Sequence, residues 1–275
     1  MPVLDVLLLM AGGMVAGFFG SLLGLGGGIL IVPFLTLVVG LPLLTAIGVS
    51  LVCVIVTSGA AAGVYLEKGV ANLRLGMTLE LFTAIGAIAG ALVAFLLPES
   101  ALQLLFAGLL GYVAISMLRR REPVAEEPAR DVDLSAGRGR LAEFAASLSG
   151  PGYRVRNLGP GAIGSTFAGV ISALLGIGGG TVKVPVMHLV MGVPLRVSTA
   201  TSNLMMGITA SSSAIVYLLR GGINAYVAGP TALGVFLGAS VGSRVSHRIP
   251  LGVLRALFVV ILLYTSWQML QRALT

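Results

Sequence analysis

Few residues in this chain can do chemistry, and they stand out against an apolar background. Lys183 interrupts the apolar segment 181–193, and Glu80 lies inside the segment 75–97. A charged group in such a segment is costly to hold in hydrocarbon, which makes each a functional candidate. Lys183 could pair with an anion; its plainer role is snorkelling to an interface, because its segment is short. Glu80 sits about one helical turn inside Arg74 and Lys68, so an interfacial pairing with Arg74 is expected, with proton coupling as the alternative. The segment 197–219 is dense in polar side chains: Ser198, Thr199, Thr201, Ser202, Asn203, Thr209 and Ser211 to Ser213. Its counterpart earlier in the chain keeps Thr45, Ser50, Thr57 and Ser58. Such groups serve either a polar cavity lining or helix–helix hydrogen bonding. Asn203 is the sharpest of them, because an amide can donate to sulfonyl or carboxyl oxygens. His188 follows Lys183 by five residues. It could relay a proton, although a packed neutral imidazole is the plainer expectation. The other histidine is His247, in a basic loop, so neither a metal site nor a cofactor is expected. Asn72 and Asn224 begin their segments and read as helix caps.

Two glycine-rich stretches must position these residues. GLGGGILIVP runs from Gly24 to Pro33 and returns as GIGGGTVKVP from Gly176 to Pro185. At this offset of 152, Gly24, Gly26, Gly27, Gly28 and Pro33 match Gly176, Gly178, Gly179, Gly180 and Pro185. Gly40, Pro42, Ser50, Thr57, Tyr65 and Asn72 also match their counterparts. From Gly17 to Asn72, 22 of 56 positions are identical to Gly169–Asn224 without a gap, which identifies an internal repeat. Lys183 has Ile31 as its counterpart and Glu80 has Ala232, so the repeat itself requires neither charge.

Glycine lets a backbone turn and leaves its N–H groups uncovered. At membrane depth such backbone survives only where protein buries it or where it lines a cavity. A helix starting just after the glycines would aim free N–H groups and a partial positive charge into that cavity, which favours an anion. The expected binding set is therefore Gly24, Gly26, Gly27, Gly28, Gly176, Gly178, Gly179, Gly180, Lys183, Ser50, Thr57, Ser202, Asn203 and Thr209, with Glu80 and His188 as proton-coupling candidates. The competing use of glycine is close helix packing, and Gly13, Gly17 and Gly20 fit it well. GGGTVK lacks the spacing and the following Ser or Thr of a nucleotide loop.

The composition fixes the class. The 275 residues are 57% hydrophobic and 10% charged, with a mean hydropathy of +1.03. Soluble domains carry about 25% charged residues, so this is an all-α polytopic membrane protein whose solvent is the lipid bilayer. The net charge of +7 sits mostly at segment ends, which reads as topology and headgroup contact and not as nucleic-acid binding. The single cysteine, Cys53, excludes an intrachain disulfide and reads as a buried, inert thiol. The N-terminus has Asp5 and no basic residue before its first apolar run, unlike a cleaved signal. Tyr264 and Trp267 read as interface anchors, and Met205 and Met206 as core.

Apolar segments run over 3–23, 29–40, 44–66, 75–97 and 101–118, then 160–175, 181–193, 197–219, 225–246 and 252–271. This predicts about eight to ten membrane segments, the second of each set being short enough for a broken or re-entrant helix. Residues 119–158 form a polar linker with eight arginines and six acidic residues between Arg119 and Arg156, and a short helix is expected around Leu141–Leu148. The expected organisation is a membrane repeat over 1–118, the linker, and a second repeat over 159–275.

With the arginine-rich linker in the cytoplasm, Lys68, Arg74, Arg196, Arg244, Arg248 and Arg255 also fall inside. Arg220 falls outside although its counterpart Lys68 is inside, and Arg272 is also outside. Equivalent positions then face opposite sides, which defines two inverted repeats whose broken helices meet near the midplane. Both termini are expected outside.

The doubled glycine motif, each copy followed by Gly-x-Pro at Gly40–Pro42 and Gly192–Pro194, resembles the TauE/SafE family of sulfite and organosulfur anion exporters. The resemblance covers nearly the whole chain except the linker. It implies an inner-membrane permease of bacteria or archaea that exports a small anion such as sulfite, an organosulfonate or a related carboxylate. Without a nucleotide site, energy would come from a proton, sodium or substrate gradient. A passive anion channel would share these features but show no counterflow. A membrane scaffold for another complex would show no flux. An intramembrane enzyme has no nucleophile–base pair or metal cluster to support it.

Overall fold

The computed structural model describes residues 3–23, 27–67, 69, 71–119, 147–150, 152–245 and 251–274. Their regular structure is helical, with one isolated bridge between Gly150 and Tyr153. The first set comprises α1 (Val3–Leu23), α2 (Gly28–Pro33), α3 (Leu43–Glu67), α4 (Leu73–Ala94) and α5 (Glu99–Arg119). The second comprises α6 (Leu158–Leu175), α7 (Gly180–Pro185), α8 (Leu195–Leu219), α9 (Ala225–Val245) and α10 (Leu251–Leu274). Eight of the helices are long and apolar enough to cross a membrane; α2 and α7 are not among them. Most of the helix expected over Leu141–Leu148 lies outside the described residues, as does His247.

The offset of 152 carries into the structure. Helix α3 and helix α8 match at both ends, and α2 matches α7. Each short helix passes through a proline into a π turn, Phe34–Val38 after Pro33 and Val186–Val190 after Pro185. Proline has no N–H to donate and crowds the carbonyl four residues back, which favours this looser winding. The amides of Val39 and Met191 close the two turns on the carbonyls of Phe34 and Val186. Helix and turn together span eleven residues, Gly28–Val38, or about 16 Å at 1.5 Å per residue. That is roughly half of a hydrocarbon core.

Each half packs its helices against the other. Helix α1 lies on α9, α4 on α6, α3 on α8 and α5 on α10, while α4 also meets α8 and α9 meets α3. Every pairing is either self-equivalent under the offset or has its equivalent in the same set. The tightest contacts use glycine. A Cβ at Gly13 or Gly17 would meet the backbone of Thr231 or Val235, and one at Gly234 or Gly238 would land on the carbonyl of Met10 or Met14. Gly86, Gly90 and Gly169 do the same between α4 and α6. In lipid, where no hydrophobic force drives helices together, such close approach supplies dispersion contact. The packing role expected of Gly13 and Gly17 is the observed one.

The two asparagines cap as expected: the Leu75 amide donates to Asn72 Oδ1 at 3.0 Å, and the Tyr226 amide to Asn224 Oδ1 at 3.1 Å. Asn72 also holds the linker's end, donating from Nδ2 to the Leu148 carbonyl and the Tyr153 hydroxyl, each at 2.7 Å. Leu148 and Val155 then bury against Leu75, Leu79, Met187, Met191 and Met205. This small apolar cluster is separate from the main core.

A backbone contact cannot yield to a new side chain. Gly238→Leu should cost about 3 kcal/mol or more and collapse the monodisperse peak in detergent gel filtration. Gly229→Ala, on the same helix with open space around it, should leave peak and melting temperature unchanged.

Candidate functional site

The two glycine breaks touch. The Ser50 hydroxyl, about two turns into α3, donates to the Gly176 carbonyl at 2.7 Å and lies 3.3 Å from the Gly28 carbonyl. One side chain thus bridges both breaks and satisfies a carbonyl that lipid would leave unpaired. A Cβ on Gly28 would collide with that same Gly176 carbonyl. Gly27 begins α2 with φ +52°, and Gly176, Gly178 and Gly179 hold φ +69°, +76° and +75°. These left-handed values turn α6 into α7 over four residues. Gly24 and Gly26 lie outside the described residues.

Beside the second break sits a closed polar ring. Lys183 Nζ lies 3.2 Å from Glu80 Oε2 and donates to Thr209 Oγ1. The Thr209 hydroxyl is 2.5 Å from Glu80 Oε1 and 3.1 Å from the Met205 carbonyl, two acceptors for its one proton. Lys183 is 1% exposed and Glu80 3%. The ring joins three helices far apart in sequence: α4 supplies Glu80, α7 Lys183 and α8 Thr209. It is the one ion pair among the described residues.

This corrects the pairing expected of Glu80. Arg74 is exposed, and six residues along a helix place two side chains about 120° apart around it. Neighbours on one face lie three or four residues apart, so Glu80 turns inward while Arg74 turns out. Lys183 does not snorkel either; its ammonium points into the protein.

Among the described residues, three buried hydroxyls have no hydrogen-bond partner: Ser172, Thr181 and Ser202. All three flank the second break, on α6, α7 and α8. A Cβ on Gly179 would stand 3.2 Å from Ser172 Cβ and 3.4 Å from Lys183 Cε, and one on Gly180 would stand 3.6 Å from Ser202 Oγ. The absent side chains leave Ser172, Ser202 and the Lys183 stem around one bare piece of backbone. Buried hydroxyls without partners are costly, and these three lie on the elements that meet at the second break.

The remaining expected residues are placed as follows. Thr57 returns its hydroxyl to its own helix, 3.1 Å from the Cys53 carbonyl, beside Gly27. Asn203 is buried, and its carbonyl accepts from the Ser58 hydroxyl at 2.5 Å, tying α8 to α3. Ser211, Ser212 and Ser213 bond to carbonyls one turn back, so much of the polarity of α8 is spent within the helix. His188 is half-buried, with Nδ1 2.9 Å from the Val193 carbonyl and no link to the ring. No metal-ligand cluster occurs among the described residues. Cys53, Met205 and Met206 are buried, as expected. A groove of about 490 Å³ lies elsewhere, between α1, α2 and α10; it is lined mainly by apolar groups and holds none of these residues. Sequence reasoning missed Ser172 and Thr181, whose single hydroxyls in apolar runs carried no distinguishing signal.

Eight spans, paired broken helices and a buried polar cluster between them define a polytopic membrane protein of the transporter class. The chain belongs to the sulfite exporter TauE/SafE family, whose model matches residues 9–269. Two relatives from Bacillus subtilis (strain 168) cover nearly all of it. "Probable membrane transporter protein YunE" is 24% identical over 265 residues, 94% of each chain. "Probable membrane transporter protein YdhB" is 25% identical over 253 residues, 92% of this chain and 94% of its own. "Probable membrane transporter protein ORF9" of Sinorhizobium sp is 29% identical over 250 residues, 90% and 85% of the two chains. No solved structure matches.

The second half's own counterpart offers an internal control. At the equivalent positions the ring reads Ile31, Ala232 and Thr57, and Ile31 and Ala232 are buried. The same packing thus does without the charges. Lys183→Ile or Glu80→Ala alone should each cost about 3–5 kcal/mol by stranding a buried charge. The double variant should recover to within about 1 kcal/mol of the parent, measured as thermal stability in detergent.

Proposed function

We propose that this protein is a secondary transporter that moves a small oxyanion, such as sulfite, an organosulfonate or a related carboxylate, by alternating access, with export as its direction. The observation that carries this reading is Lys183. It is a fully buried ammonium, absent from the equivalent position, set beside unpartnered hydroxyls at a glycine-opened backbone. A cation kept at that cost, where the fold does not need it, is suited to an anionic guest. The binding set is Lys183, Thr209 and Ser202 with Gly178, Gly179 and Gly180. Ser172 and Thr181 join it, and Ser50, Thr57, Asn203, Gly27, Gly28 and Gly176 form the supporting wall. Its occlusion favours a carrier over an open channel.

We also propose two inverted repeats, 1–118 and 159–275, joined by a cytoplasmic linker. Contact registers support this. Asn72 meets Thr201 and Glu80 meets Thr209, so α4 runs in the same direction as α8. Only residues 68–72 separate α3 from α4, which makes those two spans antiparallel. Helix α3 therefore runs against α8, its own equivalent. Inversion of this kind lets the halves exchange roles between the two faces of the bilayer.

Counterflow in proteoliposomes tests the reading. Vesicles preloaded with sulfite, sulfoacetate or acetate should accelerate uptake of labelled sulfite. Gly179→Ala, which adds a Cβ between Ser172 and Lys183, should cut that uptake at least about tenfold, the effect of roughly 1.4 kcal/mol. Gly40→Ala is the control, since it shares the left-handed backbone, φ +77°, with nothing nearby to crowd. Flat traces for every anion from folded protein would favour the scaffold role.

A further inference from the structure

We propose that the transported anion and Glu80 compete for the one ammonium of Lys183, so that each anion bound brings one proton onto the Glu80 carboxylate. The inference rests on the anion site proposed above and names its coupling ion.

Charge accounting comes first. In the structure Lys183 and Glu80 form a neutral pair. A monovalent anion entering among Ser172, Thr181 and Ser202 would bring the buried cluster to a net charge of −1. Its charge would stand next to a carboxylate with no second cation to share. The groups on the surrounding elements do not relieve this. Helix α6 carries no ionisable residue. On α4, Arg74 is exposed; on α7's continuation, His188 is held by the Val193 carbonyl; in the linker's end, Tyr153 accepts from Asn72, Arg154 is half-buried and Arg156 exposed. On α8, Arg196 is exposed and Tyr217 gives its hydroxyl to the Ala173 carbonyl at 3.1 Å. On α3, Cys53 is a buried thiol. Two negative groups sharing one buried site cannot both stay ionised at reasonable cost. One proton restores neutrality.

The ring has a place for that proton. The Thr209 hydroxyl now has two acceptors, Glu80 Oε1 and the Met205 carbonyl. When Glu80 takes a proton, Thr209 can turn its own to Met205 and accept the new O–H from the carboxyl. Lys183 keeps all its protons, and one of its N–H bonds moves from Glu80 Oε2 to the anion. Glu80 Oε1 and Thr209 thus stay hydrogen-bonded to each other in both states, and Oε2 gives up its ammonium only once the carboxyl is neutral. The repeat's other copy, with Ile31 and Ala232, can host neither the cation nor the proton, which sets the ratio at one proton per anion.

Such a cycle moves the equivalent of a free acid. With a monovalent anion it is electroneutral. A pH gradient acid outside would oppose export, so net export must run down the anion's own gradient.

Titration calorimetry of the purified full-length protein tests this. Methanesulfonate is the first probe, because it does not titrate near neutrality; sulfite and acetate follow, with their own protonation subtracted. Heats in buffers of different ionisation enthalpy should report about one proton taken up per anion bound. Affinity should fall about tenfold per pH unit on the alkaline side of the Glu80 titration, since binding requires the protonated carboxyl. In Glu80→Gln the anion should bind without proton uptake and with an affinity independent of pH. Binding by the parent protein with no proton uptake and no pH dependence would overturn the exchange while leaving the anion site standing. Proton uptake that persists in Glu80→Gln would overturn the assignment to Glu80. No binding of any of the three anions would overturn the anion site and the exchange together.

Discussion

Lipid offers no hydrogen bonds, and the architecture follows from that constraint. Two stretches of backbone leave helical geometry between long apolar helices, so their carbonyls and amides need partners from the protein itself. One such partner crosses between the halves. Ser50 of the first half accepts this duty for Gly176 of the second, while Gly28 packs its bare Cα against the same carbonyl. The interleaving of α1 with α9 and α4 with α6 is the packing that brings the breaks together.

A symmetric frame with an asymmetric site is the second theme. The offset of 152 reproduces helix bounds, π turns and left-handed glycines, yet the chemistry stands on one side. Lys183, Glu80, Ser172 and Thr181 face Ile31, Ala232, Gly20 and Ile29 in the other copy. Thr57 and Thr209 are both kept, and each returns to a carbonyl one turn back. Only in the second copy does that hydroxyl also close a ring with a charged pair. Duplication would explain the frame; the buried ion pair and the unpartnered hydroxyls are departures from it.

Much of the fold was legible in the sequence. The glycine runs, their spacing and the apolar segment lengths anticipated eight long helices and two short ones, and Asn72 and Asn224 cap as their positions suggested. The pairing of Glu80 was not legible. Local spacing offered Arg74 six residues away, whereas the true partner lies 103 residues on. Charge pairing inside a bundle is decided by which helix faces meet, and that information resides in packing between α4, α7 and α8. The unpartnered hydroxyls were equally hidden. A serine in an apolar run looks the same whether it bonds its own helix, as Ser211 does, or waits without a partner, as Ser172 does.

The ring also bears on how such a site can move. Its three members sit on three separate helices, and one of them, α7, is a short element between a glycine turn and a proline-loosened π turn. A long straight helix would have to tilt as a whole to carry Lys183 from one partner to another. A six-residue helix with a turn at each end can do so locally, while α4 and α8 stay packed along their length. The linker's end, tied through Asn72 to Leu148 and Tyr153, lies against Leu79 and Met205, the residues beside Glu80 and one turn before Thr209. A change in which group Lys183 holds would therefore reach that apolar cluster directly.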